Sequence, residues 1–212
     1  MSRQRAWRLL PAVLLLVSSS ACSPPPPPTA ETERLEEWLL TAEDVGIGLS
    51  EQSRGSAGVE GGRLCPDAAF EIEDHGVVRV ELTQGAGRDL VSITESLWAV
   101  EAGEGEDLFA GLSAAQTSCD RQRWTDYGET YVFTALTPPA IGDDSLAGRL
   151  QFGEGIRGDG PVDDERTVTI RKGDIVAEFT MHEILDGPEA ASAMDDEDFY
   201  AIVIRALEKL PE

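Results

Sequence analysis

Basic residues are scarce in this chain: 17 Lys and Arg stand against 40 Asp and Glu, a formal net charge of −23. A polyanion of that size repels nucleic acid and anionic lipid headgroups, so neither is expected as a default partner. Histidine is scarcer still, at two residues. His182-Glu183 opens a metalloprotease-like trace, but Asp186 stands where the second histidine is needed. His75 lies near Glu71, Glu73 and Asp74, a grouping that reads as a solvated turn, with a weak metal site as the alternative. The acidic clusters Asp143-Asp144, Asp163-Asp164-Glu165 and 195–198 lack the alternating ligands and the glycine of a calcium loop. No serine sits in a G-x-S-x-G elbow, and no spacing among the carboxylates selects an acid pair for glycoside hydrolysis. Gly153, Gly155 and Gly158 have dinucleotide-loop spacing, yet Asp159-Gly160-Pro161 follows instead of a helix whose amides could converge on a phosphate. No metal, no cofactor and no enzymatic activity are expected, and there are no internal repeats.

Long apolar runs are also missing, except at the N-terminus. Residues 1–21 read as an export signal: Arg3, Arg5 and Arg8, an apolar stretch over 9–17 broken by Pro11, then small residues. The stretch is shorter than the ~20 residues a spanning helix requires. Cys22 follows Ser19-Ser20-Ala21, where bacterial lipoproteins are cut and acylated on the thiol. Ser19 stands where that pattern prefers Leu, and ordinary signal peptidase accepts the same small residues, so a freely secreted protein is the alternative. Losing the signal removes three arginines and no acid, which takes the net charge from −23 to −26. Pro24 to Pro28 form a polyproline spacer rising ~3.1 Å per residue.

With Cys22 acylated, Cys65 and Cys119 remain as one even pair in an oxidising compartment, where exported domains carry disulfides. Pairing them closes a loop of roughly 55 residues, worth about 4 kcal/mol by chain entropy. Two buried free thiols are the alternative. The expected organisation is therefore a signal over 1–21, a lipidated cysteine and linker over 22–31, and one extracytoplasmic domain over 32–212.

Within that domain, Leu35, Trp38 and Leu39 share a face of a helix over 32–40, and Thr41 starts a one-turn helix with a carboxylate at its third position. Residues 50–62 are rich in Gly and Ser and read as a mobile loop. Val78, Val80 and Leu82 alternate with charged residues in a half-buried strand, and 90–100 reads as the next strand with blurred alternation. A helix over 104–118 follows, then strands over 130–136 and 146–152. Thr167 to Arg171 and Ile175 to Met181 form a hairpin turned by Gly173-Asp174. The amphipathic segment 196–210 closes the chain as a helix. These elements predict a single α+β domain, a twisted antiparallel sheet of about six strands covered by N-terminal, central and C-terminal helices.

The run from Thr167 to Ala177 and the helix ending Ala206-Leu207-Glu208-Lys209-Leu210 resemble the PknH-like extracytoplasmic sensor domain of mycobacterial receptor Ser/Thr kinases, and related actinobacterial lipoproteins. Leu39 to Val45 and Cys119 to Trp124 are similar to that family's opening helix and central region, and the likeness covers most of 32–210. The resemblance implies helices around a cleft in a twisted sheet, a ligand-binding role and no catalytic residues. Its members often carry two disulfides where this chain can form one. The expected function is a lipid-anchored, sensor-like protein of the cell envelope that binds a small molecule, a lipid or a glycan fragment. The alternative is an envelope scaffold that docks a protein partner through its acidic surface. Pockets favour aromatic linings, which singles out Trp98, Trp124, Tyr131 and Phe133, although an aromatic on a strand is more often core.

Overall fold

The computed structural model describes residues 30–46, 48–57, 62–65, 68–70, 77–85, 90–101, 103–126, 128–157, 160–186 and 192–211. Residues 1–21, read as an export signal, together with Cys22, the proline run and His75, lie outside the described residues. Among the described residues no helix is long and apolar enough to cross a membrane.

Eight strands form one antiparallel sheet: β1 (Ser50–Ala57), β4 (Val77–Gln84), β5 (Val91–Ala99), β6 (Arg123–Asp126), β7 (Glu129–Leu136), β8 (Asp144–Gly153), β9 (Val162–Lys172) and β10 (Ile175–Leu185). Their spatial order is β1-β4-β5-β10-β9-β8-β7-β6. β2 (Gly62–Cys65) and β3 (Ala68–Phe70) pair separately. The chain thus contains a five-strand meander, β6 to β10, whose last strand docks on β5 and closes the sheet against the β4–β5 hairpin.

The sheet has eight strands, not six, and the two additional ones are its two edges. Residues 50–57, expected as loop, form β1, which pairs with β4 through a register shift between Glu51 and Ser53. An edge strand bonds one neighbour and buries little, so its sequence stays polar: SEQSRGSA in β1, RWTD in β6. The hairpin of β9 and β10 is as expected but longer, pairing Val162 with Leu185 at its far end. Its turn uses Gly173 at φ +61, a left-handed conformation glycine adopts freely. Gly153 ends β8, and Glu154–Arg157 form a 3-10 turn.

Helices α1 (Ala30–Trp38), α2 (Ala42–Val45) and α4 (Asp196–Lys209) cover one face of the sheet. The short α2 has a complete capping box, in which the Thr41 side chain and the Asp44 carboxylate each bond the other's backbone amide. Asp195 caps α4 by accepting from the Asp198 amide at 2.9 Å, and Lys172 of β9 satisfies the carbonyls of Leu207 and Leu210 at its end. Leu35, Leu39, Phe199, Ile202 and Val203 pack on Val78, Val80, Leu82, Ile93, Phe179 and Met181. Burying each such side chain contributes about 1.5–3 kcal/mol.

This closed face also holds a charge cluster. Arg166, 5% exposed, donates to Asp164 at 3.1 Å, Glu183 at 3.0 Å, Asp196 at 2.9 Å and the Met194 carbonyl at 2.9 Å. Arg149 reaches the other oxygen of Asp164, and the Ala193 amide bonds Glu183. The cluster ties the start of α4 to the centre of the sheet.

Candidate functional site

Side chains alternate across a strand, so each strand that feeds the closed core also builds the opposite face. Cross-strand register aligns that face in rows. One runs Leu146, Thr169, Glu178, Ser96, Arg79, from β8 across β9, β10 and β5 to β4. The next runs Gly148, Thr167, Thr180, Thr94, Glu81, and a third Leu150, Glu165, His182, Ser92, Thr83. The inner part of this face is therefore hydroxyls and carboxylates. Arg79 donates to Ser96 at 3.0 Å, and His182 lies 2.9 Å from Asp163.

Two of its carboxyl groups are perturbed. Burial pushes the Glu178 carboxyl above the usual range, the Glu165 charge pushes it the same way, and Arg79 opposes both. Burial likewise raises Glu165, with His182 opposing. Both side chains are half-buried and hold protons more tightly than surface carboxylates. Groups of this kind collect where ligands are bound or protons are moved.

The helix α3 (Glu104–Cys119) packs on this same face over β7 and β8. Among the described residues it is the one helix on this side. Its unpaired first amides are complemented by Glu104, Glu106 and Asp107. Between α3 and the ends of β8 and β9 lies a cavity of about 450 Å³ lined by Glu106, Phe109, Ala110, Ser113, Leu146 and Arg171, with Asp144 and Ser145 at its rim. Arg171 is held across the rim by Asp144 at 2.8 and 2.6 Å. Gly105 allows the approach, because a Cβ there would meet the Arg171 stem at 2.7 Å. Leu146 belongs to both the cavity and the first polar row, in which Thr169 and Glu178 are the next members across the sheet.

The aromatics singled out by sequence all point to this face but do not meet in one cleft. Trp98, 2% exposed, sits in a core cluster with Val77, Val100, Phe109 and Val176, beneath the recess. Phe133, 3% exposed, packs with Cys65 and Cys119 under α3, and a Cβ on Gly148 would lie 2.7 Å from its ring. Trp124 and Tyr131 are half-buried and stack, with centroids 5.4 Å apart, and Phe152 continues the ladder at 5.3 Å. Cys65 and Cys119 form a disulfide that fixes the β2–β3 hairpin to the end of α3. Sequence reasoning passed over Glu178, Thr169, Ser96 and Arg79. Their signal was the polar half of an alternating pattern whose apolar half was read as core.

Among the described residues no three His, Cys, Asp or Glu side chains converge to hold a metal ion. The chemistry on offer is a band of hydrogen-bonding groups beside a recess that mixes an apolar wall of Phe109, Ala110 and Leu146 with Glu106, Ser113 and Arg171.

No family model and no curated protein matches the chain. Among solved structures, it is similar to the crystal structure of the extracellular domain of PknH from Mycobacterium tuberculosis, with a TM-score of 0.60 at 10% sequence identity. The match covers 86% of this chain and 97% of that one. The likeness is one of fold, and it agrees with the sensor-domain architecture that the hairpin and last helix imply.

Proposed function

We propose that the chain is a non-catalytic, extracytoplasmic binding domain, exported by residues 1–21 and anchored through a lipid on Cys22, with the prolines as a spacer. Its ligand is a small polar molecule or glycan fragment seated on the face that carries α3. The observation that carries this reading is the row Leu146, Thr169, Glu178, Ser96, Arg79, which starts at a recess with an apolar wall of Phe109, Ala110 and Leu146 and continues through buried and half-buried hydrogen-bonding groups. Ligand sites combine those two ingredients. The extracellular location of the PknH domain and the export signal agree with it.

Native mass spectrometry of the acylated protein purified from its own envelope tests the proposal. The expected spectrum shows a retained small molecule that is lost in the Glu178→Gln, Thr169→Val variant. A spectrum showing a retained protein and no small molecule would favour the scaffold alternative. Anchoring is tested apart: Cys22→Ser should move the protein from the membrane fraction to the medium, and a wild type found wholly in the medium would remove the lipid from the account.

A further inference from the structure

Glu95 breaks the pattern of its own strand. Ile93 and Leu97 flank it on the closed face, Val80 and Phe179 are its cross-strand neighbours, and its side chain has no exposed surface. Such a carboxyl is rarely buried without a partner cation. Here Oε2 accepts the Leu40 amide at 2.5 Å, and Oε1 has no hydrogen-bond partner.

Leu40 lies in the short junction between α1 and α2. Two cations grip that junction: Lys209 of α4 donates to the Leu39 carbonyl at 2.6 Å and to the Asp44 carboxylate at 2.8 Å, and Arg54 of β1 donates to the Leu40 carbonyl and, at 3.2 Å, to the Glu36 carbonyl of α1. Fixed charges therefore hold its carbonyls, while a titratable group holds its amide. Burial dominates at Glu95 and raises its pKa from 4.5 to about 7, against the opposing pull of the Leu40 amide hydrogen bond, which favours the carboxylate, and of Lys209 and Arg54, and with a small push from Asp44. Val80 of β4 and Phe179 of β10 bring no charge.

We propose that Glu95 is a proton-controlled latch for the N-terminal segment: with the carboxyl neutral, the α1–α2 junction lies closed on the sheet, and ionisation favours an open junction in which water reaches the carboxylate. The sign follows from linkage. The closed state binds the proton more tightly, so this group's contribution to closure is complete below about pH 4.5 and is lost as pH rises through about 7. A gap of that size weakens closure on the order of a hundredfold across the window. Opening would lengthen the path from the domain to Cys22, a consequence that rests on the lipid-anchor reading, whereas the latch itself does not.

Hydrogen exchange of the full mature chain, corrected for intrinsic rates and followed from pH 5.5 to 8.5, tests the latch. In the wild type, the opening equilibrium of the α1–α2 peptides should rise about tenfold between pH 6 and 8, while α3 peptides stay level. Glu95→Gln keeps an acceptor for the Leu40 amide without a charge, so its profile should be flat. A flat wild-type profile, or equal slopes in both proteins, overturns the proposal. If the variant does not fold, a carbon-13 titration of the Glu95 carboxyl in the wild type decides: a midpoint near 7 upholds the latch, and one below 5.5 removes it.

Discussion

Among the described residues on the face of the sheet that carries α1, α2 and α4, every buried charge but one is enclosed by partners; on the opposite face of the same strands, carboxylates are half-buried with few. Phe179 and Glu178 are consecutive residues of β10, yet the first is sealed in the core and the second lies in a polar row. Arg166 and Thr167 divide in the same way on β9. The closed face gains from excluding water, so a charge there must be fully bonded. The other face leaves bonding capacity unspent, which a ligand can use, and Glu95 is the place where the closed face departs from its own rule.

The sharpest way to break this contrast is Arg166→Ala. Asp164, 0% exposed, and Glu183, 3% exposed, would lose their common cation, and removing one member of a buried pair costs about 3–5 kcal/mol. Thr167→Ala, one residue away on the polar face, should cost less than about 1 kcal/mol. Urea unfolding of the two variants measures both, and equal losses would dissolve the distinction between the faces. Next in size is the Cys65→Ser, Cys119→Ser double variant, expected to lose about 2–4 kcal/mol in thermal unfolding because the disulfide ties a loop across the α3 side.

The same contrast explains what could be read in the chain. The six inner strands were legible because burial on the closed face forces apolar residues into every second position. The edges β1 and β6 were not, since a strand with one neighbour and a solvated side has no such pattern to show. Thr41 announced α2 through local capping chemistry alone, whereas the last helix showed itself by its amphipathic pattern. The blurred alternation over 90–100 has a definite cause: Glu95 occupies an inward position between Ile93 and Leu97, a choice that local pattern disfavours. Asp164 and Arg166 keep step with Val168 and Ile170, so their burial was implicit once β9 was extended to Val162. Trp98 and Phe133 were expected to line a cleft and lie instead in core clusters beneath α3, because strand parity fixes a side and only packing fixes a depth.

A smaller effect, defined by its sign, is expected at Glu178. Its carboxyl is raised in the fold, mainly by burial, so its contribution to stability is present below the ordinary carboxyl range and falls as pH rises through the folded value. Glu178→Gln should therefore match or exceed the wild type in stability at pH 7, and the difference should close on approaching pH 4.5. Paired denaturant titrations at the two pH values check this. A variant less stable at pH 7 would mean that the carboxylate has partners on that face and that the row is structural.

The smallest change belongs to the rim of the recess. Asp144 is 45% exposed and holds Arg171, which is 16% exposed, in an ion pair that water and salt both reach. Exposed pairs of this kind contribute about 0.2–1 kcal/mol, and Asp143 at 3.6 Å remains to compensate in Asp144→Asn. The loss should be near the lower end of that range and should shrink further in ~1 M salt, where screening acts within about 3 Å. Denaturation at low and high salt reads both numbers. A salt-independent loss above about 2 kcal/mol would place the recess wall with the buried charges around Arg166, and the face that carries α3 would then be a second closed core with no open site.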